Sequence, residues 1–161
     1  MTSAVLTKRP VHRDHLFELI ALEVRPDQRD LVTANLFTFA EAAYEPGSAV
    51  WGLWVGPVPV GLMAMIDFRG TPDPYSEVDP DAAYLWRLMI TAEHQGKGHG
   101  SAALVLAAGV AQEWGFARMM AGVMDAAHSN LPFYLRHGFR ATDRVAQGDR
   151  MITLDLAEFR R

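Results

Sequence analysis

The sequence predicts an α/β fold: a mixed, mostly antiparallel central sheet covered by helices on both faces. Three observations carry that expectation. Short apolar runs of strand length dominate the middle of the chain. Segments of helical periodicity stand at its start and between later strands. One run, Tyr84-Leu-Trp-Arg-Leu-Met-Ile90, is apolar on both faces except at Arg87. A strand of that kind is covered from both sides, which puts it at the centre of the sheet.

Taken in order, the elements begin with a short strand near Ala4–Thr7 and a helix from about Arg13 to Leu22. A second helix is expected from about Gln28 to Tyr44, with Asp27 as its N-cap and Leu31, Asn35, Phe39 and Ala42 at helical spacing. Ala49–Val55 and Val60–Phe68 read as strands joined through Gly56-Pro57-Val58-Pro59. Arg69–Asp81, rich in proline, aspartate and glycine, reads as a long loop, and long ordered loops tend to carry function. A helix follows from about Gly98 to Trp114, where Leu104, Ala107, Ala111 and Trp114 lie three or four apart and Gly115 suits the position after the end. Arg118–Met124 is a further strand, and Leu131–His137 a short helix closed by Gly138. Phe139–Val145 and Met151–Leu156 form an antiparallel pair around Gln147-Gly148-Asp149. No repeat or linker divides the 161 residues, so one domain over residues 1–161 is expected. A chain of that length buries roughly 70% of its unfolded surface.

Composition excludes several classes of function. No apolar run approaches the roughly 20 residues that span a bilayer, and the first ten residues lack the pattern of an export signal. The expectation is a cytoplasmic protein with no membrane partner. There are no cysteines, which removes disulfides, thiolate metal sites and a cysteine acyl-enzyme. The net charge of −4, without a basic cluster, leaves no nucleic-acid footprint and mildly favours cationic partners. His12 and His15, like His94 and His99, bring no carboxylate-bearing third ligand, so no metal site is expected. The oligomeric state stays open, a homodimer included.

The most informative stretch is Ala92-Glu-His-Gln95-Gly96-Lys97-Gly98-His99-Gly100-Ser101, between the central strand and a helix. Alternate glycines let backbone N–H groups approach a ligand, and a helix N-terminus adds undonated amides and a positive dipole end. Together they suit a phosphate or pyrophosphate. A Walker loop requires Ser or Thr after Gly-Lys, and Gly98 stands there. Gly98-His-Gly100-Ser-Ala-Ala103 matches a dinucleotide-binding turn, but only 61 residues follow Gly100, too few for a doubly wound fold. A tight turn without a ligand is the plain alternative, although three glycines in five residues cost stability unless something uses them.

The remaining pattern is [QR]-x-x-G-x-[GA], filled by Gln95, Gly98 and Gly100. With the strand before it, the helix after it and the element Asn130-Leu-Pro-Phe-Tyr134-Leu-Arg-His-Gly138-Phe139, the chain resembles the GNAT superfamily of N-acetyltransferases. That resemblance implies acetyl-CoA as cosubstrate and the primary amine of a small molecule as acceptor. It implies that backbone amides of Gln95, Gly96, Lys97, Gly98, His99, Gly100 and Ser101 hold the pyrophosphate. It also implies that Leu88, Met89 and Ile90 pair with the pantetheine arm, with an N–H near Met89 or Ile90 on the oxyanion. Many members place a cofactor-contacting asparagine seven residues before the tyrosine, where this chain has Ala127; Asn130 is carried over in its place. The segment Gln28–Ala42 is similar to one in bacterial spermine/spermidine acetyltransferases, which implies a polyamine or diamine. Peptide, protein or amino-acid acetylation and a non-catalytic acyl-CoA sensor are the alternatives.

Without a cysteine, direct attack in a ternary complex is the simpler chemistry. Tyr134 is the candidate general acid, because a phenol stays protonated at neutral pH; its plain alternative is a core residue beside Phe133. Candidates for the base are Glu23, Glu41, Glu77 and Asp79, with Glu41 placed in the catalytic set and Glu23, Glu77 and Asp79 against the acceptor. Arg87 reads as a structural ion-pair partner.

Overall fold

The computed structural model describes residues 5–71 and 78–160. Seven strands make one sheet in the order β1-β2-β3-β4-β5-β7-β6. They are β1 Leu6–Pro10, β2 Ser48–Val55, β3 Val58–Ile66, β4 Ala83–Ile90, β5 Arg118–Met124, β6 Arg140–Ala146 and β7 Asp149–Asp155. All neighbours are antiparallel except β4 and β5, which run parallel across the crossover helix α3, His99–Glu113. The mixed, mostly antiparallel sheet and the central place of Tyr84–Ile90 are as the sequence predicts. The β6–β7 turn is set by positive φ at Gln147 and Gly148, which matches the twist of a two-residue hairpin.

Alternation along the strands sends one set of side chains to each face. Met63, Met65, Leu85 and Met119 face α3 in a core that also takes Leu104, Ala107, Ala111 and Tyr134. Tyr134 lies on α4, Leu131–Arg136. On the other side, Ile66, Phe68, Val78, Ala82, Met120 and Met151 form a smaller cluster. Helices α1, Leu16–Ile20, and α2, Asn35–Ala42, pack there against β3 and β2. Among the described residues no helix is long and apolar enough to cross a membrane.

The N-terminal helices depart from expectation. The predicted helix over Arg13–Leu22 is a 3-10 turn at Arg13–His15 followed by five α-helical residues. His15, at φ −116° and ψ 1°, interrupts the two. The predicted helix over Gln28–Tyr44 is a 3-10 turn at Pro26–Gln28, an irregular stretch, and α2. Asp27 caps nothing, because Arg25 beside it takes its carboxylate at 3.2 Å and holds it below the usual carboxylate range. The N-terminus of α2 is fixed instead by buried Asn35, whose Nδ2 donates to the Leu19 carbonyl at 2.7 Å. A buried amide with a strong tertiary partner outweighs the weak helical preference of the residues before it. The first strand begins at Leu6 rather than Ala4, which lies outside the described residues.

Candidate active site

The site begins with a split in the sheet. β4 and β5 pair only from Ala83–Leu85 to Met119–Ala121, although β4 runs on to Ile90 and β5 to Met124. A register shift between Ala64 and Met65 of β3 leaves Trp86 as a bulge in β4 where the divergence starts, and bulges re-aim a strand in this way. Past it, Thr91 N–H donates to Val60 of β3 at 2.8 Å. Backbone direction alternates along a strand, so Met89 is also turned to β3, while Leu88 and Ile90 turn into the split. The C-terminal edge between parallel strands is where α/β sheets place ligands.

The glycine turn closes one end of that split. Gly96 and Gly98 have φ of 71° and 81°, and a Cβ on either would meet nothing within 4 Å. The conformation, not crowding, selects glycine at both. Gly100 differs: a Cβ there would stand 3.3 Å from the Phe133 ring, so its role is the close approach of α3 to α4. No N–H from Gly96 to Ser101 donates to another described residue. The Gln95 side chain points away from them, donating to the Ile90 carbonyl at 2.9 Å and to Gln28 at 2.7 Å. It ties the turn to β4 and to the segment before α2. Burial holds the His99 imidazole below its ordinary range, helped by neighbouring His94 and Lys97. Ser101 Oγ lies 3.0 Å from His137 Nε2, and His137 Nδ1 lies 2.7 Å from the Arg160 carbonyl. A carbonyl only accepts, so Nδ1 carries the proton and Ser101 donates to Nε2.

Tyr134 stands on the α3 side of the split, 6% exposed, edge-on to Phe133 and Phe139. Burial pushes its hydroxyl well above the usual phenol range, and Tyr84 adds to the effect. Asn130, the N-cap of α4, is exposed and makes no side-chain capping bond; Ser129 Oγ accepts from Leu131 N–H instead.

On the opposite face lies a cleft of about 690 Å³. Its apolar wall is Ile66, Phe68, Val78 and Trp86, and its charged residues are Glu41 and Glu45 of the α2 end, Arg87 of β4 and Asp149 of β7. Arg87 Nη2 donates to Glu41 at 2.9 Å, while Arg87 Nε and Glu45 Oε1 are buried without a partner. Such an atom costs on the order of 1–3 kcal/mol, and it marks a place where water or a ligand completes the network. Burial pushes the Asp149 carboxyl up, and Arg87 draws it part of the way back.

A family model for the acetyltransferase (GNAT) family matches residues 13–139. The chain belongs to that family. No curated protein matches it in sequence. Several solved structures share its fold. An acetyltransferase from Thermus thermophilus is 22% identical, with 95% of this chain and 98% of that one covered and a TM-score of 0.67. The PaiA N-acetyltransferase of Thermoplasma acidophilum, solved with coenzyme A, is 14% identical over 93% and 98%, with a TM-score of 0.66. The GNAT domain of S. lividans PAT is 20% identical over 92% and 89%, with a TM-score of 0.69.

Within this GNAT chain, Leu88, Ile90, the amides from Gly96 to Ser101 and Tyr134 are gathered around one split. The acidic residues read from the sequence are scattered. Glu41 lines the cleft but is engaged by Arg87, which is therefore both an ion-pair partner and part of the cleft. Glu23 pairs with exposed Arg29 at 3.1 Å beside a separate cavity of about 170 Å³. Asp79 does not line the cleft and is bound to Arg118 at 2.8 Å. Glu77 lies outside the described residues. Sequence reasoning missed Glu45 and Asp149. Asp149 entered it only as part of a hairpin turn, and the register that sets it opposite Met124 is what brings it to the cleft.

Proposed function

We propose that the chain transfers the acetyl group of acetyl-CoA to a primary amine of a small cationic molecule, a polyamine or diamine, by direct attack in a ternary complex. The observation that supports this best is the β4–β5 split, with undonated amides at one end and an acid-lined cleft across it. The amides from Gly96 to Ser101 suit a pyrophosphate. The backbones of Leu88 and Ile90 suit a pantetheine arm added like a strand, and an N–H of either suits the oxyanion of the tetrahedral adduct. Tyr134 gives the leaving sulfur a proton. Burial keeps that proton on the phenol until a thiolate forms beside it.

The cleft supports the acceptor class. Three carboxylates against one guanidinium leave it negative, and the wall from Ile66 to Trp86 fits the methylenes between two amino groups. The likeness of Gln28–Ala42 to polyamine acetyltransferases points the same way. A coupled thiol-release assay over spermidine, spermine, putrescine, neutral monoamines, amino acids and short peptides is the test. Polyamines or diamines are expected to turn over best. Turnover of amino acids or peptides alone would overturn the acceptor class, and no thiol release with any amine would overturn the enzyme.

A further inference from the structure

We propose that Asp149 is the general base, taking the proton from the attacking amine in the cleft where its carboxylate lies over Gly122 beside the split. The proposal rests on the acetyltransferase reading above. A Cβ built on Gly122 would stand 3.3 Å from Asp149 Cβ, 3.5 Å from Asp149 Oδ2 and 3.5 Å from the Tyr84 hydroxyl. A carboxylate and a phenol thus converge on the one position that lacks a side chain. That position lies just beyond Ala121, where pairing between β4 and β5 stops. The missing side chain at Gly122 therefore lets the Asp149 carboxylate lie against β5 on the cleft face, next to the split. Tyr134 lies on the far side of the sheet, in the core against α3. A thioester lying in the split would be reached by an amine from the Asp149 side and by the Tyr134 hydroxyl from the other.

The charges around Asp149 suit that role. Tyr84 and Arg87 of β4 and Glu41 and Glu45 across the cleft face it, and Arg87 is already held by Glu41. Neighbouring Arg150 is committed to Asp125 at 2.9 Å. No cation is bonded to the Asp149 carboxylate among the described residues, and burial pushes its carboxyl up toward the working pH, where a general base is most effective.

Protons and electron pairs balance over the cycle. The acceptor ammonium loses one proton to Asp149, which passes it to cleft water. The nitrogen lone pair forms the C–N bond as the carbonyl electrons move to oxygen. The adduct nitrogen loses its second proton to the same carboxylate. The oxyanion electrons re-form the carbonyl as the C–S bond breaks with its pair on sulfur, which takes the Tyr134 proton; Asp149 gives up its second proton to water and Tyr134 recovers one from water. One proton is released per turnover.

Asp149→Asn is the test, read by kcat with a diamine, by its pH dependence, by acetyl-CoA calorimetry and by the unfolding midpoint. At pH 7 kcat should fall about 100-fold or more. The defect should shrink as pH rises and more acceptor is already neutral in solution. Acetyl-CoA affinity should hold. The unfolding midpoint at neutral pH should hold or rise, because the variant no longer buries a charge. A second variant, Gly122→Val, should push the Asp149 carboxylate from its place and lower kcat while acetyl-CoA still binds. Unchanged kcat in a folded Asp149→Asn, or a defect constant with pH, would remove the residue from the chemistry while leaving the enzyme reading intact. No turnover by the parent with any amine would remove both.

Discussion

The two sides of the split are built in opposite ways. The proposed cofactor side is one continuous stretch, Leu88 to Ser101, whose functional groups would be backbone amides and carbonyls. The glycines and the Gln95 side chain only shape and hold it. The proposed acceptor cleft is assembled from the end of α2, the end of β3, β4 and the β6–β7 hairpin, and its polar groups are charged side chains. A backbone cradle binds whatever carries a phosphate and is indifferent to most substitutions. A cleft of side chains changes its ligand with each replacement. Cofactor binding and acceptor choice are thereby separable by mutation.

The sharpest way to test that separation is at Tyr134, where the sides meet. Tyr134→Phe keeps the ring contacts with Phe133 and Phe139 and removes only the proton. Turnover should drop about 10²–10⁴-fold, while calorimetry finds acetyl-CoA bound as in the parent. Equal losses in both would mean that the hydroxyl holds cofactor and is not an acid. Next in size is Gly98→Val. Its φ of 81° strains a β-branched residue, by roughly 1–2 kcal/mol, and relief of that strain would turn the neighbouring amides out of place. Acetyl-CoA affinity should fall tenfold or more. Full affinity would misplace the pyrophosphate.

This contrast also explains what could be read from the sequence. Gln95, Gly98 and Gly100 state a local conformation, and the strand and helix beside them follow from periodicity, so the glycine turn and the sheet around it were legible. The cleft depends on pairings between residues such as Met124 and Asp149, or Arg87 and Glu41, which lie far apart in the chain. No spacing announces them. Glu23 and Asp79 looked as suitable as Glu41, and only their partners Arg29 and Arg118 separate them from the cleft. The α2 boundary failed for the same reason: the Asn35 bond to Leu19 is a tertiary fact.

A smaller effect is expected on the acceptor side. Glu41→Gln leaves the Arg87 guanidinium without its carboxylate, so the cleft loses one negative charge and gains an uncompensated positive one. KM for spermidine should rise severalfold, and KM for a neutral monoamine should not. Pairs this exposed are worth about 0.2–1 kcal/mol. The same KM should rise with added salt, since screening acts over about 8–10 Å at ordinary ionic strength. A salt-independent KM would show that the cation is not held by these carboxylates.

The smallest effect tests whether the cofactor side is as indifferent to side chains as its construction implies. His99 sits in the first turn of α3 with its imidazole held down by burial, His94 and Lys97. In the free protein the folded state disfavours its protonation, so its contribution to stability is present at neutral pH and lost as pH falls. A pyrophosphate arriving at the cradle reverses the local field and raises the imidazole again. Binding should then take up a fraction of a proton between about pH 6 and 7, where an imidazole titrates. Acetyl-CoA affinity should tighten severalfold as pH falls across that interval. A tenfold change in the acidity of one imidazole carries at most about a tenfold change in affinity. Calorimetry in two buffers of different ionisation enthalpy counts the proton directly. His99→Gln should abolish the uptake and flatten the pH slope while leaving affinity near pH 8 unchanged. Uptake that persists in His99→Gln assigns the proton elsewhere, with His94 the next residue to replace. A large loss of affinity at pH 8 would show that a side chain, and not the backbone alone, holds the pyrophosphate.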